Sequence, residues 1–284
     1  MAHPQIAAFP RLGKENTLPT RSLEGQQTLL SRTMHDIRYD AIHDEIVVTS
    51  PLALAVLTFR GGANGEEPPL RVIQGPKTQL IQTDYAALDK VDVDPMHNEI
   101  FVPTLNSISV FPREANGDVP PLRVIKGPDT QLRSTWMGGG SVAVDPAHNL
   151  IVAANSGGAS PEERELRQSR ERNPGELLIF NRTDNGNVKP RAVIRGPKTG
   201  IVANINQIAV YPPRGWILAT IPRSFVGIWS INDNGDVPPR WKIAIRGRVI
   251  KSVRGVALDP KNKELIVADS ELNAVLTYYF PEMF

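Results

Sequence analysis

Apolar and polar residues alternate in short runs along most of this chain, and the runs recur with turn residues between them. Four of them read as an alternating strand entering a turn: IRYDAIHDEI (37–46), VDVDPMHNEI (91–100), VAVDPAHNLI (142–151) and VALDPKNKEL (256–265). A fifth, IAVYPPRGWI (208–217), carries Tyr211 in place of the aspartate. Period-two alternation puts one side-chain set of each run against a core and marks a strand. The starts are spaced 54, 51, 66 and 48 residues apart, which is blade-sized. A second element follows in each unit: PPLRVIQGPKT (68–78), PPLRVIKGPDT (120–130), KPRAVIRGPKT (189–199) and PPRWKIAIRGR (238–248). Its fifth copy, LPTRSLEGQQT (18–28), precedes the first alternating strand. Between the two elements lie further strands and then Asn64-Gly65, Asn116-Gly117, Asn185-Gly186 or Asn234-Gly235. Asn-Gly best tolerates the positive dihedrals of a tight hairpin turn.

Each unit is thus strand A, an Asp-Pro turn, strand B, strand C, an Asn-Gly turn and strand D. Five such units, one assembled from both termini, predict an all-β chain: a five-bladed β-propeller of four-stranded antiparallel blades. The amino-terminal strands are expected to join the carboxy-terminal blade and close the ring, removing exposed edges. The whole of 1–284 reads as one domain, with blades at about 35–82, 88–134, 140–203, 206–251 and 254–281 plus 5–30. Two segments compete for strand C of the closing blade. QIAAFPR (5–11) aligns with SISVFPR (107–113), and AVLTYYF (274–280) matches AVLTF (55–59).

Composition narrows the picture. With 22 Gly and 25 Pro, long helices are excluded, while 40% hydrophobic residues exclude disorder. A net charge of +2 gives no bulk attraction to nucleic acid or to a membrane surface. No run of about 18 apolar residues exists to span a bilayer. The start, MAHPQIAAFPRLGKEN, is not a signal peptide, so an exported protein would be one whose signal had been removed. The absence of Cys excludes disulfides and thiolate chemistry and leaves the compartment open.

The repeat resembles that of bacterial NHL-like propeller proteins, in which an apolar-x-apolar-Asp strand leads to an Ile-x-Gly-x-x-Thr ending. The likeness runs over residues 5–280. It implies the propeller fold. For function it implies only a range, since such propellers include lyases, lactonases, binding modules and scaffolds.

Antiparallel strands put the A–B and C–D turns at one end of the ring and the B–C and D–A connections at the other. The second face varies more and is the expected binding face. Just ahead of strand A the blades carry His35, Asp89, Gly140, Asn206 and Arg254, and then Asp36, Lys90, Ser141, Gln207 and Gly255. Strand A lines the central channel, so these surround its mouth. A catalytic reading uses Arg254 to hold an anionic group, His35 as proton donor or acceptor and Asp89 as base, with a divalent metal (Ca or Zn) as an option. The plainer reading is a solvated polar channel mouth. Asp36, Lys90, Asn206 and Gln207 are ligand-binding candidates, as are Trp136, Arg223 and Glu271 on the same face. His43, His97 and His148 recur in the A–B turns of three blades, which marks turn packing and not a metal site.

Blade 3 carries an insertion at 156–175, where Ser160-Pro161 followed by Glu163 predicts a short exposed helix. Its Arg164, Arg167 and Arg170 are partner-binding candidates, against a solvated insertion without a role. Two functions follow. The first is a binding or scaffold module that engages a small molecule or a protein on the B–C and D–A face. The alternative is a lactonase- or lyase-type enzyme at the channel mouth.

Overall fold

The computed structural model describes residues 4–32, 34, 36–80, 88, 90–133, 140–155, 175–201, 205–244 and 250–284. The architecture is an all-β, five-bladed β-propeller. Blade 1 is β3 (Ile37–Asp40), β4 (Glu45–Ser50), β5 (Ala55–Arg60) and β6 (Arg71–Gln74). Blade 2 is β7 (Asp92–Asp94), β8 (Glu99–Pro103), β9 (Ser107–Pro112) and β10 (Arg123–Lys126). Blade 3 is β11 (Ser141–Asp145), β12 (Leu150–Asn155), β13 (Glu176–Asn181) and β14 (Ala192–Ile194). Blade 4 is β15 (Ile208–Tyr211), β16 (Trp216–Ile221), β17 (Phe225–Ser230) and β18 (Trp241–Ala244). The closing unit draws on both termini: β19 (Val253–Asp259), β20 (Glu264–Asp269) and β21 (Ala274–Tyr279), with β1 (Gln5–Ala8) and β2 (Arg21–Glu24) beside them.

Strand C of the closing unit comes from the carboxy terminus, and the amino-terminal strands share no ladder with β19–β21. Ala274–Tyr279 pairs with β20 in the register that Ala55–Arg60 adopts on β4, while β1 pairs with β2 as a separate two-stranded sheet. The amino-terminal pair reaches the last blade through a side-chain contact, Arg11 to Glu264 at 2.6 Å.

Each recurring motif has a local cause. The strand A aspartates Asp40, Asp94 and Asp145 accept the backbone N–H three residues on, and their second oxygen meets the imidazole Nδ1 of His43, His97 or His148 at 2.7–2.8 Å. In the last blade Asn262 makes the same two contacts to Asp259, so the position is filled by a turn-fastening side chain. At the end of strand D, Thr28, Thr78, Thr130 and Thr199 each donate their hydroxyl to the carbonyl of the glycine three residues before, at 2.6 Å. Neighbouring blades are stitched by parallel bridges from strand D to the next Asn-Gly glycine: Ile73 to Gly117, Ile125 to Gly186, and Ile194 to Gly235. Leu23 bridges Gly65 in the same way. The core lies between blades, as in the set that packs Val47 and Val56 of blade 1 on Val91, Val93 and Ile100 of blade 2. Among the described residues there is no α-helix, and the insertion at 156–174 lies outside them.

Candidate functional site

A cavity of about 760 Å³ opens where the D–A connections meet the closing unit. Asp36, Lys90, Asn206, Gln207 and Arg254 all line it, although they span 218 residues of sequence and belong to four blades. Their common position ahead of strand A explains this convergence. Gly255 and Ser270 of the last blade complete the polar rim. Apolar surface comes from Ile6 and Ala7 of β1, Met34, Ile37 and Val48 of blade 1, and Ala268 of β20.

The floor is a network that ties all five blades across the channel. Asp36 accepts from the guanidinium of Arg38 at 2.7 Å, from Gln207 Nε2 at 2.5 Å and from its neighbour's amide, Ile37 N–H, at 3.0 Å. Arg38 Nε donates to Asp92 of blade 2 at 2.9 Å, and Asp92 also accepts the Val144 N–H of blade 3 at 2.7 Å. Gln207 uses its carbonyl to accept Val256 N–H at 2.7 Å. Every polar group of this floor has a partner, as buried groups require. Burial lowers the Arg38 pKa, but Asp36 and Asp92 outweigh it and hold the guanidinium above its ordinary value and charged. Burial raises the Asp92 carboxyl, and Arg38 with the Val144 amide reduces that rise without cancelling it.

The rim is less committed. Asn206 donates to the Arg254 carbonyl at 2.7 Å, and Arg254 is exposed, with Nε 3.3 Å from Ser270 Oγ. Among the described residues Arg254 forms no ion pair. Arg223 and Glu271 do not line the cavity. They pair with each other at 2.8 Å across the exposed B–C loops of the last two blades. His35, Asp89, Trp136, Arg164, Arg167 and Arg170 lie outside the described residues. Among the described residues no group of three or more His, Asp or Glu side chains is placed to hold a metal. The lining residues do not suit a divalent cation either: Asp36 is committed to Arg38 and Gln207, while Lys90 and Arg254 add positive charge.

Two contributions escaped the reading of the chain. One is Arg38, whose partner Asp92 is 54 residues away. Its trace is visible only on stacking the second positions of strand A, which run Arg38, Asp92, Ala143, Ala209 and Ala257. An opposite-charge pair stands there in adjacent blades among alanines. The other is β1, whose alignment with strand C does not disclose that its inner edge faces a cavity.

No protein-family model matches the chain, and no curated protein is significantly similar to it. No helix among the described residues is long and apolar enough to cross a membrane.

Proposed function

We propose that the protein is a binding module that takes a small molecule with an anionic group at the channel mouth. The observation that carries this reading is the convergence of Asp36, Lys90, Asn206, Gln207 and Arg254 on one cavity. Its size is within the usual range for small-molecule sites, and a largely apolar lining with a few convergent polar groups is the usual character of such sites. The charged residues of the lining are Lys90 and Arg254 against the single carboxylate of Asp36, a formal excess of one positive charge. Arg254 is positioned to grip a carboxylate or phosphate, for which its planar fork is suited. The floor network favours binding over catalysis, because Asp36 has its hydrogen bonds satisfied and is no free base. The NHL-like character of the repeat agrees with a binding role and selects no ligand.

The test is a thermal-shift and calorimetry screen against small carboxylates and phosphates beside their neutral amide or ester analogues. The expected result is stabilisation by an anionic compound that Arg254→Ala weakens at least about tenfold, a loss of roughly 1.4 kcal/mol. Equal binding of the neutral analogue, or an Arg254→Ala protein that binds as the parent does, would overturn the reading.

A further inference from the structure

The four Asn-Gly turns are the clasps between units. In each, the asparagine Oδ1 accepts an amide N–H from strand D of the preceding unit. Ser22 donates to Asn64 at 3.1 Å, and Val72, Val124 and Val193 donate to Asn116, Asn185 and Asn234 at 3.0 Å. The glycine N–H donates back to the carbonyl of that same strand residue, at 2.6–2.8 Å. The side chain two residues after the asparagine closes a third contact, accepting an amide of the turn after strand D. These pairs are Glu66 with Gln27, Asp118 with Lys77, Asn187 with Asp129 and Asp236 with Lys198.

Asn-Gly is also a reactive sequence, because a glycine nitrogen has no Cβ beside it to hinder its attack on the asparagine Cγ. That attack forms a new C–N bond and closes a succinimide. The side-chain amide C–N bond breaks, and ammonia leaves with the proton that the glycine nitrogen gives up through water. Water then cleaves one of the two ring C–N bonds, leaving aspartate or isoaspartate. The clasp opposes the first step twice. A strand carbonyl holds the glycine proton, and a strand amide on Oδ1 keeps the asparagine side chain turned to the neighbouring unit. A junction must therefore open before its turn reacts. Isoaspartate lengthens the main chain by one carbon, so the reacted turn cannot restore both hydrogen bonds in register.

We propose that Asn64 is a site of spontaneous covalent modification, converting to isoaspartate when the junction between β2 and blade 1 opens and thereby making that opening permanent. Two observations single it out among the four turns. Its third contact is the slack one: Glu66 has one methylene more than Asp118, Asn187 or Asp236 and meets its amide at 3.2 Å, against 2.7–2.8 Å for the others. Ser22 lies on β2, which has β1 alone in its sheet among the described residues, whereas β6, β10 and β14 each stand on three further strands. All four asparagines are exposed, so access to water does not distinguish them and the firmness of the junction does. Water is the only co-reactant. Ser22, Asn64, Gly65 and Glu66 are not among the residues that line the cavity, so the modification and the ligand reading are tested separately.

The test incubates the full chain at mildly alkaline pH, native and in urea, and follows amide loss and isoaspartate at all four turns by peptide mapping. In urea the four turns should react at similar rates. In the native chain Asn64 should react at least about tenfold faster than Asn116, Asn185 and Asn234, yet at least about tenfold slower than it does in urea. Glu66→Ala should speed the native reaction at Asn64 and leave its rate in urea unchanged, while Glu66→Asp should slow the native reaction. Once Asn64 has become isoaspartate, amide exchange in β2 should quicken at least about tenfold. No lead for Asn64 over the other three turns, a native rate equal to that in urea, or a Glu66→Ala chain that reacts as the parent does would each overturn the proposal. So would isoaspartate at position 64 with exchange in β2 unchanged.

Discussion

Gly75 shows how much a single position can decide in this repeat. It sits at φ 129° at the end of strand D, and an added Cβ would meet the Asp118 side chain of the next blade at 2.5 Å. Asp118 is held there because it accepts the Lys77 N–H at 2.7 Å. Gly75→Ala therefore combines a strained dihedral with the loss of a blade-to-blade contact, and should cost about 2 kcal/mol in urea unfolding. A change under about 0.5 kcal/mol would show that the junction yields freely. Arg38 is the second such position. Arg38→Met leaves Asp36 and Asp92 facing each other without their shared cation, for an expected loss of about 3 kcal/mol. Adding Asp92→Leu should recover part of it, and a double variant less stable than the single would refute the pairing. Gly75 was legible in the chain because it recurs in phase in Ile-x-Gly-x-x-Thr. Arg38 was not, because it departs from the repeat and its partner is fixed only once blade 1 is laid against blade 2.

At the scale of strands, the outer edges are held by arginine clamps across blades. Glu99 at the start of β8 takes Arg123 of its own blade at 2.8 Å and Arg182 of the next at 2.7 Å. Burial raises its pKa, but the two arginines outweigh that and hold the carboxyl below its ordinary value. A group lowered by folding stabilises above its unfolded pKa, near 4.3, and its contribution fades as pH falls through the folded value. Glu99→Gln should therefore cost roughly 2 kcal/mol at pH 7. Its gap from the parent should narrow steadily as denaturation is repeated from pH 5 to about pH 3. A gap independent of pH would mean that the charge is not what binds these strands. The elements themselves were the most readable part of the chain, since alternation, Asp-Pro and Asn-Gly each have one local meaning. The identity of strand C in the closing unit was not readable. Both QIAA and AVLT satisfy the pattern, and it is the pairing of β21 with β20, against that of β1 with β2 alone, that separates their places.

For the whole ring, the junctions between neighbouring blades set a gradient of stability. Blades 2 to 4 are covered on both faces by neighbours, and their B and C strands are almost wholly buried. In the last blade the side chains of β21 alternate between half-buried and exposed, and β1–β2 is a two-stranded sheet that packs on blade 1 through Leu23 and Ile6. In an assembly whose units touch only their neighbours, stability is close to a sum of unit and junction terms, so a unit short of one junction opens first. Native-state hydrogen exchange should find the slowest amides in β8, β12, β13, β16 and β17. Those of β1, β2 and β21 should open with a free energy lower by about 2 kcal/mol or more. Glu264→Gln, which releases Arg11, should speed exchange in β1 and β2 while leaving β12 and β13 unchanged. Uniform protection around the ring, or a Glu264→Gln effect spread over every blade, would mean that the propeller unfolds as one cooperative body and that its closing junction is as firmly held as the rest.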